Sequence, residues 1–348
     1  MVIIGCDFHP SFQQIALLDT ESGEYRQMRL EHKEPARIFY ESLRGKEVVI
    51  GIEACGYTHW FEQMVAEMGH RLRVGDAAKI RATMTRRQKT DKRDADQILL
   101  LLRENRFPEI WVPTVEQRDL KQLLIHRDKR VRMRTQVKNQ LQAIALNQGL
   151  RLGFKLWSKE GLEQLRALPL MPYARRRREE LLELLEGMEP ELAALDKAVE
   201  QEALARPEVR RLMTHPGVGP VTGLAYVLIM GDVSRFCRAR KVASYIGLIP
   251  VEDSSADKQR LGHISKQGSP LLRFLLVEAG HIAVRRDAEL RRCYSRVRQR
   301  SHHAGVAKVA VARKLAVRLY WMLRLQIEYA QLRVGPYAGK PESSRGRK

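Results

Sequence analysis

The sequence predicts a mixed α/β domain at the N-terminus followed by a helical remainder, and three observations predict it. Two short apolar runs, VIIGCDF at 2–8 and EVVIGIE at 47–53, have the length and β-branched content of buried strands. Amphipathic stretches that close on glycine come between and after them. From about Glu116 to Leu204 the apolar residues recur at helical spacing throughout. With 348 residues, 44% hydrophobic and 30% charged, the chain has globular composition and enough length for two or three domains.

The first hundred residues read in order as follows. VIIGCDF is a central strand, and QQIALLD (13–19) and EYRQMRLE (24–31) follow it across the turn-prone Thr20-Glu21-Ser22-Gly23, so the three form a meander. PARIFYESLRG (35–45) is a helix ended by Gly45. EVVIGIE is a second buried strand, YTHWFEQMVAEMG (57–69) an amphipathic helix, and RLRVGD (71–76) another strand. Ala77 to Arg103 is helical in pattern with a break near Thr90. The order β-β-β-α-β-α-β-α is that of the ribonuclease H-like fold. Further on, Leu181, Leu185, Met188, Leu192, Leu195 and Val199 form a heptad seam, expected either as an intramolecular helical hairpin or, by slight preference, as an oligomeric coiled coil. Pro190 falls inside the seam, so one helix is expected to end near Gly187 and another to start there. After Arg206-Pro207 the texture becomes glycine-punctuated and α-rich, then basic and helical, and GPYAGKPESSRGRK reads as a disordered tail. The expected domains are 1–108, a helical connector 109–205, a C-terminal domain 206–333 and the tail 334–348.

The 62 Lys and Arg against 41 Asp and Glu give a net charge of +21, which calls for a polyanionic partner, with nucleic acid the first candidate. From Arg285 to Lys348 there are 17 Lys and Arg against 4 Asp and Glu, so the excess is concentrated at the C-terminal end. A membrane surface could use the same charge, but no apolar run approaches the roughly 20 residues of a spanning helix. The opening MVIIGCDFHP reads as no signal peptide, and the four scattered cysteines, Cys6, Cys55, Cys237 and Cys293, as reduced thiols of a cytosolic protein.

The two buried strands share a form, each running apolar residues into one acid, Asp7 and Glu53. A carboxylate there is expensive without a cation. In KTDKRDAD (89–96), Asp91 and Asp94 are three apart and share one helix face. If the fold holds, all four acids converge, and all-oxygen ligands select Mg²⁺ or Mn²⁺, two of which could clamp the oxygens of a phosphodiester. Taken singly, each acid has a plain alternative: Asp91 as a helix start, Asp94 paired on a solvated face. Asp96 points around the helix, and His9 is expected on the substrate side or in a structural role.

HPGVGPVTG (215–223) has the form of a helix-hairpin-helix turn, in which Gly217 and Gly219 would let backbone N–H groups approach a phosphate; an ordinary helix–helix turn fits as well. GLIPVEDSSADKQRLGHISKQG carries Ser254, Ser255 and Ser265 amid Lys258, Arg260 and Lys266. Such a loop could hold a phosphate or supply a nucleophilic serine, and the residues alone do not choose.

With these residues assembled, the chain resembles the DEDD insertion-sequence transposases (the family one-ten/eleven-eleven group) and is similar also to the Piv-type DNA invertases. GCDFHP, GIEACGY, KTDKRDAD, HPGVGPVTG and GLIPVEDSSADKQRLGHISKQGSPLLR carry the resemblance, in the family's order and across most of the chain. The resemblance implies a RuvC-like first domain with its tetrad at Asp7, Glu53, Asp91 and Asp94, holding Mg²⁺. It implies a nucleophilic serine five residues after Pro250, which is Ser255, joined to DNA as a 5′-phosphoserine. Ala256 and Asp257 depart from the pattern, standing where glycines are common. It further implies donor and target DNA as substrates, a bridge RNA as guide, dimers to tetramers, and a cytoplasmic, nucleoid-associated place of work. A water-using junction resolvase and a catalytically dead nucleic-acid-binding regulator are the rivals.

Overall fold

The computed structural model describes residues 1–84, 90–252 and 261–334, and it divides into two compact units, Met1–Val112 and Pro113–Lys348. The first unit is a five-stranded sheet with helices on both faces. β1 (Val2–Phe8), β2 (Phe12–Asp19) and β3 (Tyr25–Glu31) form the antiparallel meander. α1 (Glu34–Glu41) leads to β4 (Val48–Glu53), and α2 (His59–Glu67) to β5 (Arg71–Gly75). β4 pairs parallel to β1 and to β5, giving the order β3-β2-β1-β4-β5. This mixed sheet is consistent with a ribonuclease H-like arrangement. α3 (Ala77–Ala82) and α4 (Asp91–Arg103) follow.

Strand alternation sorts the side chains into two cores. Ile4, Cys6, Phe8, Ile50 and Ile52 pack with Tyr40 of α1 and with Phe61 and Val65 of α2. Ile3 and Ala16 face the other way, against Ile80 of α3 and Ala95, Ile98 and Leu99 of α4. α4 starts where Thr90 accepts a hydrogen bond from the Arg93 N–H, as an N-cap should. Its approach to the sheet is unusually close because Gly5 and Gly51, register partners on β1 and β4, both lie beneath it. A Cβ on Gly5 would run into the Ala95 carbonyl and the Leu99 backbone; one on Gly51 would stand 2.7 Å from Leu102 Cδ1.

The second unit opens with α5 (Val115–Asn147), capped by a reciprocal pair in which Thr114 and Gln117 bond each other's backbone. A 3-10 helix (Gly153–Trp157) and α6 (Lys159–Ala167) turn the chain into α7 (Pro172–Ala205). α5 and α7 are antiparallel, with Arg127–Asp196, Arg130–Glu191 and Arg134–Glu189 ion pairs climbing along them. Two sequence expectations are corrected here. Leu185 and Met188 of the seam are buried against Val137 and Leu141 of α5, and Val199 joins Leu120 and Leu124, so the seam is covered within the chain rather than by a second copy. α7 also runs unbroken through Pro190. The proline is exposed, so the Glu186 carbonyl that loses its N–H partner faces the solvent side. Met188 and Leu192 on either side of it are buried and hold the helix together.

α8 (Pro207–Met213) and α9 (Pro220–Met230) come next, and α9 is buried almost all round. α10 (Ala239–Ile246), the short pair β6 (Pro250–Glu252) and β7 (Leu261–Ile264), and α11 (Pro270–Arg286) follow. α12 (Ala288–Ser301), α13 (Ala304–Arg324) and α14 (Tyr329–Val334) close the unit. Tyr226 of α9 donates to the Ala316 carbonyl of α13 at 2.6 Å, pinning the two central helices. Among the described residues no helix is long and apolar enough to cross a membrane.

Candidate active site

The acids gather where the parallel strands end. Cys6 pairs with Ile52, so Asp7 and Glu53 are the next residues on neighbouring strands, and both follow a glycine that faces α4 by two positions. Alternation therefore directs both acids to the α4 side. α4 presents Asp91 as its first residue and Asp94 in its first turn, the latter buried. Two carboxylates at a helix N-terminus also complement its dipole.

His9 is the residue that the sequence undervalued. Its Nε2 lies 3.0 Å from Asp7 Oδ2 and 3.6 Å from Asp91 Oδ2, and it stacks on Phe12 with ring centroids 4.4 Å apart. Asp7, His9 and Asp91 each offer one donor atom within 4.8 Å of the others. The signal was the spacing in GCDFHP: two residues beyond Asp7 in extended chain is the same side. Asp94 stands close enough for its charge to act on Asp7, and Glu53 lies 3.8 Å from Arg81. Neither is part of the tight three-atom group. Asp96 points elsewhere, accepting from Tyr25 Oη at 2.6 Å.

The electrostatics favour a cation. Burial raises the Asp7 pKa; His9 lowers it, and Asp94 and Asp91 raise it again. A divalent ion would relieve this crowding of like charges, and two carboxylate oxygens with an imidazole nitrogen make an ordinary donor set for one. The residues therefore fit the ion.

In the second unit, Gly217 has φ 87°, and a Cβ there would strike the Ala279 carbonyl of α11. Its missing side chain makes room for α11. Gly219, the residue before α9, is open on its Cβ side. His215 of the same turn is buried, with Nδ1 2.9 Å from the Pro216 carbonyl and Nε2 3.5 Å from Arg318. Ser254, Ser255, Ala256, Asp257, Lys258 and Arg260 lie outside the described residues. The base of that loop is described. Lys266 is exposed with φ 54°, and the Ser265 N–H donates to the Ile249 carbonyl at 2.8 Å. Gly247 and Gly268 both take positive φ, and each lies against the backbone of the other's segment.

Comparison with known proteins agrees with this layout. A DEDD transposase model, of the IS110 type, matches residues 4–148, which include all four acids and His9. A second, described as the IS116/IS110/IS902 transposase family, matches residues 209–295. A "Probable family 20 transposase" of Pseudomonas aeruginosa is 28% identical over 92% of this chain and 96% of its own length. The transposase for insertion sequence element IS1328 of Yersinia enterocolitica is 26% identical over 80% of this chain and 84% of its own. That for IS1111A of Coxiella burnetii is 28% identical over 67% and 65%. A DEDD transposase implies a divalent metal, and the Asp7, His9 and Asp91 group is where this chain could hold one. Two family models in sequence order, with a relative aligned over 92% of this chain behind them, place the chain in the IS110 family of DEDD insertion-sequence transposases.

Proposed function

We propose that this transposase cuts and rejoins DNA by joining Ser255 to a 5′-phosphate, with Mg²⁺ or Mn²⁺ held by Asp7, Glu53, Asp91 and Asp94. The observation that carries the metal half is the meeting of Asp7, His9 and Asp91 donor atoms within 4.8 Å at the end of two parallel strands. When bound, the ion supplies charge stabilisation to the phosphate oxygens. Asp7 and Glu53, fixed by the sheet, set one side of the site, and α4 sets the other through Asp91 and Asp94. His9 hydrogen-bonds Asp7 and stands 3.6 Å from Asp91, and so keeps the two side chains near one point.

The serine half rests on the resemblance and on the position of Ser255 five residues after Pro250. Its Oγ forms a bond to phosphorus while the P–O3′ bond breaks; the hydroxyl gives up a proton and the departing 3′ oxygen gains one. The charge excess of +21 supports a role for backbone contacts, with sequence choice delegated to a base-pairing bridge RNA and the work done by a dimer or tetramer. The test is Ser255→Ala with supercoiled donor DNA. Loss of the covalent protein–DNA adduct and of strand exchange, with DNA binding kept, is the expected result. Strand cleavage kept by the variant without any covalent adduct would instead make this a metal-only nuclease in which water attacks, and full recombination would rule out Ser255 as the nucleophile.

A further inference from the structure

On the opposite side of β1 from Asp7, an aromatic cluster comes to the surface. Phe8 stacks on His32 at 4.8 Å between ring centroids and lies 5.8 Å from Trp60 and 6.0 Å from Tyr57. His32 meets Trp60 edge-on at 4.8 Å. Phe8 is buried, but Tyr57 is 46% and Trp60 38% exposed, so two large rings held by a rigid core turn part of their surface to water. Tyr57 is the member of the cluster that comes near the acids. Phe8 is the chain neighbour of Asp7, and the Tyr57 hydroxyl reaches the Phe8 carbonyl at 3.5 Å. The Tyr57 phenol is pushed up by burial and then by Cys55, Asp7 and Glu53, an independent sign that it stands beside both strand ends. Preformed rings next to a phosphate-handling site, on a chain of charge +21, match the combination that grips unpaired strands: cations for the backbone and aromatic faces for bases.

We infer that Trp60 and Tyr57 form a stacking subsite for an unpaired base of the DNA strand whose phosphate lies at the acids. The inference rests on the proposed use of Asp7 and its partners on DNA, and adds how the strand beside the cut is held. Stacking needs only the π-face of the base, so the subsite grips without choosing sequence. That suits a protein whose selectivity comes from elsewhere.

The test uses the full chain without added metal, so it reads out whether or not the acids hold an ion. Affinity is measured by anisotropy for an oligothymidylate of about 20 nucleotides and for a fully abasic strand of equal length. Trp60→Ala and Tyr57→Ala should each weaken oligothymidylate binding on the order of tenfold and leave abasic binding unchanged. Trp60→Phe and Tyr57→Phe, which keep a ring and the core packing, should restore most of it. Equal loss on both strands, or no loss on either, would overturn the subsite. Asp91→Asn should leave the base-dependent term intact; its disappearance in that variant would overturn the assignment to the rings.

Discussion

At the scale of single residues, Gly5 governs the distance between the sheet and the helix that carries half of the acids. The atoms that a Cβ would meet there are backbone, the Ala95 carbonyl and Leu99 N, which cannot swing aside. At Gly51 the neighbours are the ends of the Leu102 and Ile98 side chains, which can. Gly5→Ala should therefore destabilise the protein by about 3 kcal/mol or more, and Gly51→Ala by clearly less, as read from urea denaturation. Equal costs would mean that α4 does not rest on β1 as described. The acids were legible in the sequence because a charge at the end of an apolar run is conspicuous in one dimension. The glycines were visible too, in GCD and GIE, but their purpose depends on what lies above them, and a sequence does not state which helix covers which strand. His9 was legible by spacing and undervalued because a histidine near a strand end has many ordinary uses.

At the scale of elements, the buried polar network of the second unit joins four pieces. Asp287 caps α12 by accepting from the Leu290 N–H at 2.7 Å, pairs with Arg318 of α13 at 2.8 Å, and accepts from Tyr329 of α14. Arg318 also reaches Glu289 and stands beside His215 of the turn before α9. Burial lowers the His215 pKa from 6.5 to about 4, with Arg318 acting the same way and the Pro216 carbonyl and Asp287 opposing. The folded state thus refuses a proton that the unfolded chain accepts. Stability is full above pH 6.5 and falls as pH drops from about 6.5 to about 4, by at most about 3 kcal/mol from this group. Burial pushes Asp287 up, but Tyr329, the Leu290 N–H and Arg318 outweigh it and hold the carboxyl well below its usual range. Its contribution is lost at still lower pH. His215→Gln should flatten the loss between pH 6.5 and 4.5, measured by denaturant midpoints; an unchanged slope would show that another group titrates there. This network was not legible, since its members are scattered from His215 to Tyr329 and no periodicity links them. The first unit's strands were legible almost to the residue because their buried runs are short and bounded. Pro190 misled because its rule concerns a helix in isolation, whereas the α5–α7 interface holds this one.

At the scale of the whole molecule, the charge of +21 sets how binding responds to salt. Removing residues 334–348, which carry Lys340, Arg345, Arg347 and Lys348, should reduce the slope of log affinity for DNA against log salt. An unchanged slope would mean that those cations contact no phosphate. Family and order of motifs were legible along the whole chain, whereas the partner that covers the heptad seam was not, because spacing defines an apolar stripe without saying whose stripe meets it. The central claim is that acids distant in sequence form one divalent-metal site, and Mn²⁺ titration followed by electron paramagnetic resonance tests it most directly. The wild-type chain should bind Mn²⁺ saturably, and Asp91→Asn, altered at an exposed position opening α4, should stay folded and bind at least about tenfold more weakly. Equal binding by the two proteins, or none by the wild type, would contradict the account.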